Sequence, residues 1–144
     1  TTVLIVLLSL IAITLVWTFL SPLILKSGTQ IAQTQACMSM NLEVTGCKYL
    51  TNVSGTFYNV TVKRSSGVAT LSDIKLIFAK ADGSTGSANF STNLPGELDV
   101  KIYRPMFGVG EVYANVVAAA GIANADGVIN YCNPSQTTPK VCSA

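Results

Sequence analysis

The chain opens with an apolar segment and then changes to short stretches in which apolar and polar residues alternate. Positions 3–25 contain no charged side chain, and apolar residues occupy every side of a helix drawn through them. A helix rises about 1.5 Å per residue, so the segment would extend roughly 35 Å, more than the ~30 Å hydrocarbon thickness of a bilayer. Because a helix that is apolar all round needs lipid or other apolar helices around it, the pattern predicts a membrane-compatible helix.

The helix is expected to continue beyond this apolar segment as a stalk that ends near residue 36. Residues 27–36 contain neither proline nor charge, and Ile24, Ile31 and Met38 recur every seven positions, which favours an amphipathic helix. Pro22 lacks an N–H group and clashes with the carbonyl four residues earlier, so a kink or local melting is expected near it.

From Met38 onward the apolar residues alternate with a period of two, as they do in half-buried strands. The predicted strands cover residues 40–49, 58–62, 71–79, 87–91, 98–103, 111–119 and 128–132. Residues 118–120 are three alanines that could instead begin a short helix. Short strands separated by turn residues are typical of a sandwich. The expected fold class is α+β, with a helix and stalk over residues 1–36 and an antiparallel immunoglobulin-like β-sandwich over residues 37–144.

Charge and residue types exclude several classes of function. The 144 residues include nine Lys and Arg and seven Asp and Glu, and the basic residues are scattered, whereas a nucleic-acid interface would cluster them. The sequence has no histidine, so Ser-His and Cys-His catalytic pairs are excluded. Glu97 and Asp99 are two positions apart beside a turn, which more often marks a solvated strand edge than an acid/base pair. We therefore expect neither an enzyme nor a bound metal or cofactor.

Four cysteines, Cys37, Cys47, Cys132 and Cys142, lie outside the apolar segment. Beyond a membrane-spanning helix, an even number of cysteines favours disulfides over free thiols. An extended segment 38–46 would hold Cys37 and Cys47 about 30 Å apart, whereas a bridge needs Cα atoms within roughly 7 Å. Unless that segment folds back, each of these two is expected to form a disulfide with one of the two late cysteines, and the direction of the tail relative to the first strand decides which.

Three Asn-X-Ser/Thr sequons, at Asn52, Asn59 and Asn89, indicate that residues 37–144 lie on the extracellular side of a membrane, which is also the side that the cysteines favour. All three asparagines are expected on the outer surface and carrying glycans in native material. Asn59 lies within a predicted strand and must face outward for this to hold.

This layout resembles the archaeal type IV pilin and archaellin superfamily, whose subunits lose a class III signal peptide. The resemblance lies in the apolar helix at positions 3–25, the stalk, the following sandwich, and the segments 59–64 and 74–78. Members often carry one cysteine after the helix and another near the C-terminus, as Cys37 and Cys142 are placed here. Bacterial members usually carry glutamate five residues into the mature chain, where this sequence has Ile5, so the archaeal branch is favoured.

The resemblance implies that a membrane peptidase removes a basic leader, which leaves Thr1 as the mature N-terminus. The helices then leave the cytoplasmic membrane and form the core of an extracellular homopolymer, a helical filament for surface adhesion. The residues expected in that core are Val3, Leu4, Leu7, Leu8, Ile11, Leu15, Trp17, Phe19 and Pro22. The resemblance also favours an antiparallel tail, with the pairs Cys37–Cys142 and Cys47–Cys132.

Two alternative functions are compatible with the same sequence. One is an archaellin of a motility filament. The other is a single-pass membrane protein whose sandwich binds a ligand at the cell surface while the helix stays in the membrane, because a sandwich by itself specifies no function.

Overall fold

The computed structural model describes residues 1–134 and 137–144, and within residues 23–34 it describes the backbone alone. The chain forms two compact units, Thr1–Thr34 and Gln35–Ala144. Their boundary lies close to the predicted end of the stalk.

The apolar segment and the stalk form a single continuous helix, α1 (Thr2–Ser39). Pro22 lies inside it, so the backbone stays helical there and the expected local melting is wrong. A membrane-type helix tolerates proline where local adjustments satisfy the freed carbonyl. Three residues define the predicted amphipathic stalk. Met38 is exposed, whereas the side chains of Ile24 and Ile31 lie outside the described part of the chain.

The second unit is built from antiparallel strands. Within the described residues these are β1 (Leu42–Asn52), β2 (Gly55–Arg64), β3 (Asp73–Ala79), β4 (Thr85–Phe90), β5 (Val100–Tyr103), β6 (Met106–Phe107), β7 (Asn115–Ala123), β8 (Ile129–Tyr131) and β9 (Lys140–Val141). One sheet has the order β1-β2-β5, and β6 also pairs with β2. The other has the order β4-β3-β7-β8, and β9 also pairs with β7.

The facing sides of the two sheets share one apolar core, to which β1, β2, β3 and β7 each contribute alternate residues. Tyr58 of β2 and Phe78 of β3 lie with their ring centroids 5.0 Å apart, which joins the two sheets. The buried Tyr58 hydroxyl accepts a hydrogen bond from the N–H of Tyr113 at 2.7 Å, so its polar group is satisfied. Burial raises the pKa of Tyr58 above its ordinary value.

The C-terminal tail connects the two sheets. β9 pairs antiparallel with β7, and Ser143 then forms a parallel bridge with Lys48 of β1. The Ser143 N–H donates to the Cys47 carbonyl at 3.1 Å, and the Tyr49 N–H donates to the Ser143 carbonyl at 2.9 Å. The tail therefore runs parallel to β1.

All four cysteines form disulfides, in the pairs Cys37–Cys132 and Cys47–Cys142, with Cα–Cα distances of 5.5 and 4.6 Å. The preferred pairs Cys37–Cys142 and Cys47–Cys132 are wrong, because they require a tail antiparallel to β1. Cys37 and Cys47 are not bridged to each other, as the sequence predicts: Cys37 lies near the end of α1, and Cys47 lies within the extended strand β1.

The strands differ from the predicted ones at several of their ends, as in β2, which covers Gly55–Arg64 where residues 58–62 are predicted, and in two strands that are very short. β6 and β9 have two residues each and are too short to show a period. The predicted strand 111–119 begins later, at Asn115, because the Glu111 N–H bonds to the Gly108 carbonyl in a turn. The three alanines at residues 118–120 belong to β7, so the alternative of a short helix is wrong.

Candidate functional site

The apolar part of α1 presents an uninterrupted hydrophobic surface. The segment Thr2–Pro22 is long and apolar enough to cross a membrane, by length and composition alone. Its large side chains are exposed, from 44% for Leu20 to 73% for Phe19. The predicted core residues Val3, Leu4, Leu7, Leu8, Ile11, Leu15, Trp17, Phe19 and Pro22 are all exposed on this helix. A continuous apolar surface of this kind marks a site that contacts lipid or protein.

Three polar side chains of this segment are satisfied within the helix. The hydroxyls of Ser9, Thr14 and Thr18 each donate to the carbonyl three residues earlier, at distances of 2.8 to 2.9 Å. Such back-bonding reduces the cost of placing a hydroxyl in an apolar environment. These three side chains can therefore be buried without an external polar partner.

The three sequon asparagines are exposed, and each lies in a different setting. Asn52 ends β1 at the tip of the β1–β2 hairpin, and its Oδ1 accepts hydrogen bonds from the N–H groups of Ser54 and Gly55 at 2.8 and 3.2 Å. Asn59 lies in the middle of β2 and faces outward, as its sequon requires. Asn89 lies in β4, and its Nδ2 donates to the Tyr131 hydroxyl at 3.2 Å.

A polar cluster on the outer face of the second sheet is not apparent from the sequence, because its members come from four strands. The Tyr131 hydroxyl donates a short hydrogen bond, 2.5 Å, to the carboxylate of the buried Asp73. This bond raises the pKa of Tyr131. Lys75 lies 5.3 Å from the centroid of the Tyr131 ring, close enough for a cation–π contact. Gly121 lies beneath the ring, since an added Cβ would come within 3.0 Å of Tyr131 Cε1.

The carboxylates considered for catalysis serve turns and loops. Glu97 accepts a hydrogen bond from the Gly67 N–H at 3.2 Å, while Asp99 lies 3.6 Å from the Lys101 ammonium. The Val100 N–H, and to a lesser extent Lys101, lowers the pKa of Asp99. Hydrogen bonds from Ser84 likewise lower the pKa of Asp82. Among the described residues, no three potential metal ligands lie together.

A groove separates the first part of β1 from the C-terminal tail. The register of β1 shifts between Val44 and Gly46, and the tail pairs with β1 only beyond this bulge, at Lys48. The resulting opening has a volume of about 500 Å³ and is lined by Glu43, Val44, Thr45, Thr138, Pro139, Lys140 and Val141. Its walls offer a carboxylate, an ammonium and two hydroxyls, so it suits a small polar ligand better than an apolar one.

In comparisons with known proteins, no family model, no curated protein and no solved structure matches the chain.

Proposed function

We propose that this chain is the structural subunit of an extracellular archaeal type IV pilus-like filament, which polymerises through its N-terminal helix and serves surface adhesion. The observation that carries the proposal is the exposed apolar surface over Thr2–Pro22, in which the hydroxyls of Ser9, Thr14 and Thr18 bond within the helix. Such a helix is stable in lipid before assembly and among identical helices afterwards. The proposal gives the chain no catalytic role.

The transfer from lipid to filament is energetically plausible for this helix. Lipid tails are as apolar as leucine, so the helices gain little hydrophobic energy by leaving the bilayer, and packing together with contacts between domains must supply the preference. The part of the helix over residues 3–25 carries no charged side chain, so it leaves no unpaired ion in either environment. A single contact repeated between identical subunits by rotation and rise does not close into a ring, so it produces a helical filament.

We also propose that the second unit is an immunoglobulin-like sandwich. In support, the orders β1-β2-β5 and β4-β3-β7-β8 place the second strand between the first and fifth, and the third between the fourth and seventh. In immunoglobulin-like folds the first, second and fifth strands share one antiparallel sheet, and strands that follow in the chain are divided between two facing sheets by Greek-key connections.

The experiment that tests the proposed function is electron microscopy of native surface material from cells that carry single substitutions. Leu8→Lys or Leu15→Lys should abolish filaments containing this chain, because an unpaired charge in an apolar core costs several kcal/mol. Val68→Lys is a matched control, since it adds the same charge at an exposed valine of the second unit and should leave filaments intact.

Two results would contradict this function. One is normal assembly of the Leu8→Lys and Leu15→Lys variants. The other is filaments of unchanged symmetry made by residues 38–144 alone. Immunoblotting of the membrane fraction establishes whether each variant accumulates.

The groove between β1 and the tail favours a second candidate, a single-pass surface protein that binds a small polar ligand. Its volume of about 500 Å³ lies within the range of ligand sites in proteins. This candidate predicts that the chain stays in the membrane fraction as isolated subunits and that no surface filament contains it. An archaellin of a motility filament would instead be revealed by loss of swimming when the chain is deleted.

A further inference from the structure

We propose that Asn52 is the sequon asparagine that the folded second unit presents for N-linked glycosylation, and that Asn59 and Asn89 stay unmodified in native material. The inference rests on the extracellular location contained in the proposed function. A transferase must seat the whole Asn-X-Ser/Thr segment in its own binding site, so the residue between Asn and Ser/Thr has to leave any packing it makes. The three sequons differ sharply in this respect.

The first sequon, residues 52–54, is already free of the core. Val53 is 95% exposed at the hairpin tip. The oxygen of the Asn52 carboxamide is fixed, because Oδ1 accepts hydrogen bonds from the N–H groups of Ser54 and Gly55. Nδ2, the atom that receives a sugar, makes no hydrogen bond to the part of the chain that the structure describes. Exposed turns of this kind are where a glycosylated sequon is expected.

The second sequon, residues 59–61, cannot be lifted from the fold without breaking the core. Val60 is 0% exposed, and β2 is paired with β1 on one side and β5 on the other at this point. Seating Asn59 in an enzyme would expose this side chain and break both ladders. The exposure of the Asn59 side chain alone is therefore insufficient.

The third sequon, residues 89–91, is held at two points. The Asn89 Nδ2 donates to the Tyr131 hydroxyl, which is itself bonded to the buried carboxylate of Asp73. Phe90, the middle residue of the sequon, packs on Tyr103 with ring centroids 4.7 Å apart. The acceptor nitrogen is thus occupied and its neighbour is packed.

The reaction needs a sugar activated on a lipid phosphate or pyrophosphate, supplied with its transferase by the cell. A bond forms between Asn52 Nδ2 and the anomeric carbon of the sugar, while the bond from that carbon to the phosphate oxygen breaks. The phosphate oxygen keeps the electron pair, and one amide proton of Nδ2 passes to a base of the transferase. No oxidant or reductant is involved.

The test is mass spectrometry of tryptic peptides from the full-length chain purified from its native cells. Trypsin places Asn52 and Asn59 in the peptide of residues 49–63 and Asn89 in the peptide of residues 81–101. We expect the first peptide to carry a glycan that Asn52→Gln removes and Asn59→Gln does not, and the second peptide to be unmodified. An unmodified first peptide, a glycan that persists in Asn52→Gln, or a glycan on the second peptide would each overturn the inference.

A release experiment tests the proposed masking of Asn89. The double variant Phe90→Ala/Tyr131→Phe keeps the sequon but removes both restraints, so glycan should appear on the peptide of residues 81–101, at least tenfold above the wild-type level. Tyr49→Phe is the control, because it removes a tyrosine hydroxyl that, within the described residues, makes no hydrogen bond to a sequon asparagine. If the double variant stays folded and unmodified, the masking argument is wrong.

Microscopy of the same cultures separates the two proposals: filaments with unmodified Asn52 overturn this inference alone, whereas glycosylated chains without filaments overturn the proposed function alone.

Discussion

Arg64 is a buried cation whose hydrogen-bond partners are backbone carbonyls. It is 8% exposed, and its guanidinium donates to the carbonyl oxygens of Pro95, Gly67 and Ala69, while Nε has no partner among the described residues. These carbonyls belong to the loop after β2 and the loop before β5. A single side chain at the end of β2 therefore fixes two loops, and burial of its charge is compensated by backbone dipoles.

Arg64→Met should destabilise the second unit by about 2–4 kcal/mol, because three carbonyls lose a charged donor and some of them stay buried. Arg104→Met is the matched control, since Arg104 is exposed and surface substitutions usually change stability by no more than about 0.5 kcal/mol. Urea unfolding of the detergent-solubilised chain, followed by near-ultraviolet circular dichroism, gives both values. Equal midpoints for the two variants would show that the Arg64 bonds contribute no stability.

Tyr103 makes stability depend on pH in the alkaline range. Its hydroxyl donates to the Asn93 carbonyl at 3.0 Å, and burial, with a smaller contribution from Asp99, raises its pKa to about 12. An unfolded tyrosine ionises near pH ~10. Because the folded-state pKa is the higher one, this stabilisation is complete below the unfolded pKa and is lost as pH rises through about 12.

The urea midpoint of the wild-type chain should therefore fall between pH ~10 and ~12, and Tyr103→Phe should reduce the slope over that window. The phenylalanine keeps the ring contact with Phe90, so stability near neutral pH falls only by the lost hydrogen bond. Some slope remains in the variant, because the pKa of Tyr58 is also raised. Short exposures to alkali keep the disulfides intact during the measurement. An unchanged slope in Tyr103→Phe would assign the alkaline sensitivity to other groups.

At the scale of elements, the sequence predicts those parts of the fold that a local period specifies. β1, β2 and β3 show alternation because they are long and one face of each is buried, and the first part of α1 is apparent because residues 3–25 carry no charged side chain. The direction of the tail relative to β1, in contrast, could not be predicted from the sequence. It depends on one parallel bridge between Lys48 and Ser143, residues far apart in the sequence, and no local pattern encodes such a contact.

The candidate sites divide in the same way. The helix surface and the three sequons could be located from the sequence, since each is a continuous segment. The groove beside β1 could not, because it depends on a bulge between Val44 and Gly46 and on the tail. The contact of Asn89 with Tyr131 likewise requires the order of β4, β3, β7 and β8, which becomes known only when the strands are paired.

The two disulfides form a ladder, and this geometry predicts how their contributions combine. Each bridge spans 95 residues, but Cys37 and Cys47 are ten positions apart, as are Cys132 and Cys142. With one bridge present, the other closes a loop of only about 20 residues, worth about 3 kcal/mol in the chain-entropy model, against about 4.7 kcal/mol for the first bridge.

Removing either bridge by a double Cys→Ser change should therefore cost about 3 kcal/mol, whereas removing both should cost about 8 kcal/mol. Urea unfolding of the three variants beside the wild type measures these differences. Non-reducing peptide mapping of the wild type should return the Cys37–Cys132 and Cys47–Cys142 peptides. If removing both bridges costs only the sum of the two single removals, the bridges act on separate loops, and the ladder geometry does not explain their contributions.

On the scale of the whole molecule, the chain separates an uncharged segment from a weakly charged one. Every charged side chain lies at or after Lys26, and the net formal charge is only +2. Within the described residues, the ion pairs are the partly exposed pairs Lys80–Glu111 and Lys101–Asp99, at 3.9 and 3.6 Å. Exposed pairs contribute little to stability. Association of this chain should accordingly depend on apolar burial through α1 much more than on charge.

The proposed filaments should therefore resist salt and dissolve in detergent. Raising sodium chloride from 0.01 to 1 M shortens the Debye length from about 30 Å to about 3 Å, which weakens contacts between exposed charges, whereas apolar burial does not depend on that screening. We expect filament length in electron micrographs, and the fraction pelleted by ultracentrifugation, to stay constant over this range. A non-ionic detergent above its critical micelle concentration should release folded subunits, because micelles cover the apolar surface of Thr2–Pro22 as lipid does. Filaments that dissociate in 1 M salt and survive detergent would show that contacts between charges on the second unit, rather than apolar contacts of α1, hold the subunits together. The proposal that the helix is the site of assembly would then be wrong.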